Sequence, residues 1–154
     1  MSHPLLTHES PVGLISGENP CHTAVTGGHE ALRRDLDRMG AQFEETWGKY
    51  GGATERSFIV YGLPLKHLLA LGKKYGQEAV IHGEGGRHMF LYTNGPKAGS
   101  MHLGLSTYEH WPEGTEPPAD DYTRLPGAGA IRLHFDWGQG SDQGLDHQTQ
   151  GVGP

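Results

Sequence analysis

The sequence predicts an α+β fold: a ferredoxin-like βαββαβ sandwich with an antiparallel sheet, one or two appended strands and a flexible C-terminal tail. Three observations lead there. Two segments, His29 to Met39 and Pro64 to Gly76, carry apolar residues at helical spacing with a glycine at or just beyond the end. The run Phe43 to Tyr50 meets a Gly51-Gly52 turn and is answered by Glu55 to Tyr61, which reads as a hairpin. Short apolar runs, Val12 to Ser16 and Glu78 to His82, stand before the first helix and after the second.

Each element has its own reason. Met1 to Pro11 shows no periodicity and reads as an N-terminal arm; Val12-Gly13-Leu14-Ile15-Ser16 is the first strand, and Gly17 to Gly28 a polar loop. In the first helix Leu32, Leu36 and Met39 share one face, Arg33, Arg34, Asp37 and Arg38 cover the rest, and Gly40 stops it. Pro64 suits the first turn of the second helix, whose stripe is Leu65, Leu68, Leu69, Gly72 and Tyr75, with Lys66, Lys73 and Lys74 outside. Glu78 to His82 and His88 to Tyr92 are strands about a Glu84-Gly85-Gly86-Arg87 turn, and Ser100 to Leu105 adds an edge strand. The domain therefore spans residues 12–112. Residues 113–154 read as an acidic, Gly- and Pro-rich extension with one strand near 131–135 and a disordered end from Gly138. A ferredoxin-like sheet leaves one face bare, so association of subunits is expected to cover it.

Composition narrows the function. One cysteine, Cys21, cannot form an internal disulfide, which points to a reducing, cytoplasmic compartment. No apolar run approaches the roughly 20 residues of a membrane span, and no signal-peptide core is present. Residues 113–154 hold seven acids and two arginines, a balance of −5, while residues 1–112 balance at −1. Without a basic stripe for phosphate neutralisation, no nucleic-acid partner is expected.

Candidate chemistry centres on the hairpin. Tyr50 and Glu55 flank its turn, and a phenol beside a carboxylate at a sheet end suits a cationic substrate. Gln77-Glu78 opens the strand that follows the second helix, and Ser16 closes the first strand before a long polar loop. Taken alone, each also reads as an ordinary turn or connection. Eleven histidines raise the question of a metal, but no His-Glu-x-x-His and no cysteine pair occurs. His82, His88 and His102 are the one trio that neighbouring strands bring near each other; surface or hydrogen-bonded histidines are the simpler reading, and no metal is assigned. Gly83-Glu84-Gly85-Gly86 lies between strands and is no phosphate cradle. Cys21 beside His22 makes no dyad by adjacency.

The ordered set Leu14-Ile15-Ser16, Gly48-Lys49-Tyr50, Glu55-Arg56-Ser57-Phe58-Ile59-Val60, Gln77-Glu78-Ala79-Val80-Ile81 and Phe90-Leu91-Tyr92-Thr93-Asn94-Gly95 resembles the bacteriophage S-adenosylmethionine lyases, formerly called SAM hydrolases, over residues 12–105. The resemblance implies a homotrimer with S-adenosylmethionine, a substrate rather than a cofactor, bound between subunits. It implies cleavage to methylthioadenosine and homoserine lactone in the host cytoplasm, an anti-restriction activity that depletes the methyl donor. Tyr50 and Glu55 then take the catalytic positions, and Ser16, Ser57, Gln77 and Glu78 the substrate-binding ones. The loop Gly17 to Gly28 and the acidic tail depart from the family pattern.

In that reaction the substrate's own carboxylate attacks its γ-carbon and expels a neutral thioether, so orientation matters more than a base; it can supply roughly 7–11 kcal/mol. Sulfonium charge vanishes along the path, so Glu55 belongs near the α-amino group rather than near sulfur. A small-molecule-binding module without turnover, or a phage protein that engages a host factor through its acidic surface, are the alternatives.

Overall fold

The computed structural model describes residues 11–18, 27–84, 87–102, 106–135 and 142–144. Its elements are β1 (Val12–Ile15), α1 (Gly28–Arg38), β2 (Gln42–Tyr50), β3 (Ala53–Tyr61), α2 (Leu65–Lys74), β4 (Ala79–Glu84), β5 (Arg87–Tyr92), β6 (Ser100–His102), β7 (Ser106–Trp111), β8 (Tyr122–Leu125), β9 (Gly129–Phe135) and β10 (Asp142–Gly144). The N-terminal arm, the loop holding Cys21 and His22, Gly85-Gly86, residues 103–105 and the end beyond Gly144 were given readings above that lie outside the described residues.

The hairpin forms where two glycines permit it. Gly51 and Gly52 have φ of 59° and 81°, the left-handed pair a two-residue turn demands, and β2 pairs with β3 from Gln42↔Tyr61 to Tyr50↔Ala53. Both helices end alike. At α2, Gln77 N–H donates to the Gly72 carbonyl at 2.9 Å and Gly76 N–H to Lys73 at 3.3 Å; at α1, Ala41 and Gly40 donate to Leu36 and Asp37, both at 3.0 Å. These are Schellman closures around a left-handed glycine, and they fix where the chain re-enters the sheet.

The segment Val12–Glu84 runs strand, helix, strand, strand, helix, strand, and its strands lie in the order β4-β1-β3-β2. The sheet does not stop there. One ten-stranded antiparallel sheet runs β10-β6-β5-β4-β1-β3-β2-β8-β9-β7, and it curls into a half-barrel. The curl brings β7, at one end of the strand order, against β5 near the other. The expected ferredoxin-like sandwich with a flexible tail is thus corrected to a strand-rich half-barrel carrying two helices. The segment beyond residue 113, read as a solvated extension with one strand near 131–135 and a disordered end from Gly138, supplies β8, β9 and β10; β9 is the expected strand, while β10 lies within the stretch expected to be disordered. β8 joins β2 through Gly48↔Thr123 and Lys49↔Tyr122, and β9 through Thr123↔Ile131.

Strand alternation divides the interior in two. On the convex face Ile15, Phe58, Val60, Val80 and Leu91 pack beneath Leu32 and Leu36 of α1 and Leu68 and Leu71 of α2. On the concave face Val12, Leu14 and Ile59 meet Leu125 and Ile131, which reach them across intervening strands as only the inside of a curl allows. Part of the face expected to be bare, at Val12, Leu14 and Ile59, is therefore covered from within the chain.

Candidate functional site

A cavity of about 220 Å³ opens at one end of the sheet, where β1, β2 and β5 finish and β3 and β4 begin. Ser16, Tyr50, Glu55, Ser57, Gln77 and Glu78 all line it. The six positions singled out from the sequence thus converge, although they span more than 60 residues of chain. Leu14, Ile81 and Phe90 complete it with an apolar wall, which the sequence reading did not identify. A larger hollow of about 590 Å³ near Met39 and Tyr61 is lined by no acid, lysine or arginine.

The register explains the convergence. Leu14 pairs with Ile59 on one side and Ile81 on the other, and Ile81 with Phe90, so these side chains share the concave face. Along β3, Ile59, Ser57 and Glu55 succeed each other on that face, opposite Glu44, Thr46 and Gly48 of β2. The apolar interior therefore gives way within two residue pairs to a hydroxyl and then a carboxyl.

Gly48 admits β8. A Cβ there would stand 2.1 Å from the Tyr122 carbonyl oxygen, which no side chain tolerates. The close approach places Thr123 beside Tyr50, whose hydroxyl hydrogen-bonds Thr123 Oγ1, while Thr46 Oγ1 donates to the Arg124 carbonyl at 2.7 Å. Asp121 caps the hairpin tip by accepting from Gly51 N–H at 2.7 Å. Thr123 and Asp121 escaped the sequence reading because Tyr122–Leu125 is a four-residue strand between turns, too short for a periodic signal.

The opposite wall is fixed through Glu18. Its carboxylate accepts from Arg56 N–H at 2.7 Å and from the Arg56 guanidinium at 2.8 and 2.9 Å. Ser16 Oγ donates to the Arg56 carbonyl at 2.6 Å and accepts from Glu18 N–H at 2.9 Å. Gln77 Nε2 donates to the Glu18 carbonyl at 2.8 Å, which orients the amide and leaves its side-chain oxygen and its second N–H to offer a ligand. The Gln77 carbonyl takes Thr93 Oγ1 and Asn94 Nδ2 at 2.6 and 2.7 Å, which ties the α2–β4 connection in place. Glu78 is exposed at the rim.

The electrostatics single out Glu55. Burial raises Glu55 from 4.5 to about 7, the Ser16 hydroxyl working against the rise and the Glu18 charge adding to it. Among the described residues no lysine, arginine or histidine pairs with it. Other acids are neutralised: Glu18 by Arg56 at 2.8 Å, Glu45 by Arg33, Asp35 by Lys74 at 2.7 Å and Glu116 by Arg124 at 2.9 Å. Burial likewise pushes the Tyr50 hydroxyl far above its ordinary range, with Glu55 and Asp121 adding to the rise, so Tyr50 stays a neutral phenol. Ser57, 2% exposed, stands near the Tyr50 hydroxyl and works against the rise in Tyr50, although its Oγ makes no hydrogen bond of full geometry.

The histidine trio does not converge. Gly83↔His88 and Phe90↔His102 put His88 and His102 on the concave face, while His82, next to Gly83, falls on the convex one. Among the described residues no group of three or more His, Cys, Asp and Glu could hold a metal. No described helix is long and apolar enough to cross a membrane.

Comparison with known proteins gives one family. The sequence model described as "Protein of unknown function (DUF3293)" matches residues 22–80, which hold α1, the hairpin, α2 and the Gln77-Glu78 connection. No curated protein matches the chain. The resemblance to the bacteriophage S-adenosylmethionine lyases is corrected by that result: the family matched over much of the same sequence is a different one, without an assigned activity. Short runs such as Gly-x-Tyr and Ser-Phe-x-Val are explained by the fold itself. Gly48 admits β8, and Ser57-Phe58-Ile59-Val60 alternates between the two faces.

Proposed function

We propose that the chain is a small-molecule-binding protein whose ligand presents a cation to Glu55. The observation that carries this reading is a carboxyl lining a cavity with no cation beside it among the described residues. A buried carboxyl without a counter-charge stays protonated or recruits one from outside, and the second course is binding. The surroundings favour it: the Glu18 charge still bears on Glu55 although Arg56 pairs with it, Asp121 bears on the neighbouring Tyr50, and no basic side chain lines the cavity. The space is smaller than the roughly 300–1,000 Å³ of typical ligand sites, which suits a small ligand or one end of a larger one.

Cleavage of S-adenosylmethionine has less behind it. Its α-amino group suits Glu55, but its carboxylate would meet Glu55 and Glu78 with no arginine or lysine in the lining to receive it.

The test is calorimetry and thermal melting of the pure protein with small organic cations, S-adenosylmethionine included, and their neutral isosteres. Binding is expected for cations alone and is expected to be lost in Glu55→Gln. It should also weaken about tenfold per pH unit below about 7, as the carboxyl takes up a proton. Chromatography of the S-adenosylmethionine sample reads turnover directly. Equal binding of neutral isosteres, or cation binding that survives Glu55→Gln, would refute the proposal.

A further inference from the structure

We infer that the cavity selects a primary amine that carries no neighbouring carboxylate, in preference to quaternary ammonium ions and to α-amino acids. This rests on the reading of the cavity as a cation site and deepens it. A primary ammonium has three N–H donors and no acceptor, so its site must offer acceptors.

Acceptors are what this cavity offers. Glu55 supplies carboxylate oxygens, and Gln77, its amide nitrogen held by the Glu18 carbonyl, supplies an oxygen. Ser57 lines the same space at 2% exposure; its Oγ bears on the Tyr50 hydroxyl without making a hydrogen bond of full geometry. A buried hydroxyl so poorly met is a standing cost in a folded protein, and a ligand that donates to it reduces that cost. A quaternary ammonium has no N–H to give. It is held instead by aromatic faces, and here the aromatic lining is Tyr50 and Phe90, too few for a cage, with the Tyr50 hydroxyl turned to Thr123.

The amino acid is excluded by charge. Its carboxylate would lie within a few ångströms of its ammonium, inside a lining of two carboxyls and no base. Leu14, Ile81 and Phe90 instead present hydrocarbon, so the group attached to the amine is apolar. At about 220 Å³ that group has the size of an alkyl chain or a single ring.

Three probes separate the possibilities: phenethylamine, its N,N,N-trimethyl derivative and phenylalanine, titrated calorimetrically at pH 8. Phenethylamine is expected to bind at least tenfold more tightly than either of the others. In Ser57→Ala its affinity should fall several-fold, while that of the trimethyl derivative should not change. Phenylalanine binding as tightly as phenethylamine would overturn the exclusion of amino acids, and equal binding of the trimethyl derivative would overturn the role of the N–H donors. In both cases loss of binding in Glu55→Gln would leave the cation site itself standing. No binding by any of the three probes overturns this inference, and the broader cation panel then decides the underlying reading separately.

Discussion

Replacing Glu55 by glutamine should change the pH dependence of stability in one direction only. In the folded chain this carboxyl is raised from 4.5 to about 7. Between those values the folded state holds a proton that the unfolded state has released, so stability falls as pH rises through the interval. Below it both states are protonated and nothing is lost; above it the whole cost is present. A shift of this size corresponds to about 3 kcal/mol as an upper value, because the group is only half-buried. Glutamine keeps the shape and never ionises. Glu55→Gln should therefore match the parent near pH 4, apart from a constant offset, and exceed it by up to about 3 kcal/mol above pH 7. For a chain of this length that is roughly 6–12 °C in Tm. Glu18, Asp35 and Glu45 are all held below the ordinary carboxylate range, so their contributions disappear as pH falls. They are common to both proteins and cancel in the difference. Urea unfolding at intervals from pH 4 to 8 gives the gap directly. A gap independent of pH, or one that closes as pH rises, would refute the argument that Glu55 is an unpaired acid drawn out of water.

Three further outcomes can be checked on the same footing. Ser57→Ala removes a buried hydroxyl that only bears weakly on Tyr50 and makes no hydrogen bond of full geometry. It should leave the protein as stable as the parent or more stable by about 1 kcal/mol in urea, whereas a hydroxyl with an essential structural role would cost stability. Truncation after Pro112 deletes Leu125 and Ile131 from the concave core and uncovers Val12, Leu14 and Ile59. The shortened chain should bind a hydrophobic dye and aggregate; a monomeric, cooperatively melting product would show that β8 and β9 are dispensable. Asp35 takes hydrogen bonds from Lys74 and Tyr75, which hold its carboxyl low and tie α1 to the end of α2. Its stabilisation is present above the unfolded pKa and lost as pH falls through the lower folded one. Asp35→Asn should thus lower stability at pH 7 and narrow the difference below pH 4, as read from thermal melts.

The sequence carried the local elements and concealed how far the sheet extends. Both helices, their glycine stops and the Gly51-Gly52 hairpin were legible because their signals are short in range: a stripe of leucines, a left-handed glycine, a two-residue turn. The positions that line the cavity were legible for the same reason, since Ser16, Glu55 and Gln77 each sit where a strand meets its connection. The continuation of the sheet was not. Tyr122–Leu125 has four residues and lies in an acidic segment rich in glycine and proline, so composition argued for a solvated tail. Its attachment to β2 depends on a missing side chain at Gly48, opposite a strand more than 70 residues away, and no periodicity records that. The histidine trio failed on parity: one residue of register decides the face, and His82 is out of step with His88 and His102.

Gly48 links the shape of the sheet to the state of Glu55, and that link can be broken deliberately. The two residues face each other across the hairpin, Gly48↔Glu55, and β8 fills the space on the far side of Gly48. An alanine there would drive its methyl to 2.1 Å from the Tyr122 carbonyl oxygen, a backbone atom that cannot turn aside. Either β8 moves or β2 does. Overpacking of this kind costs about 1–3 kcal/mol, with the higher value expected for a backbone clash. The displacement also separates Thr123 from the Tyr50 hydroxyl and admits water to the end of the concave face. Glu55 would then be hydrated, and its carboxyl would return toward the ordinary range. Gly48→Ala should therefore lower stability. Separately, it should shrink the pH-dependent gap that Glu55→Gln opens, when that substitution is made on the alanine background. A merely local packing defect would lower stability and leave that gap at its full size, and this is the result that would break the connection between the curl of the sheet and the unpaired acid at its mouth.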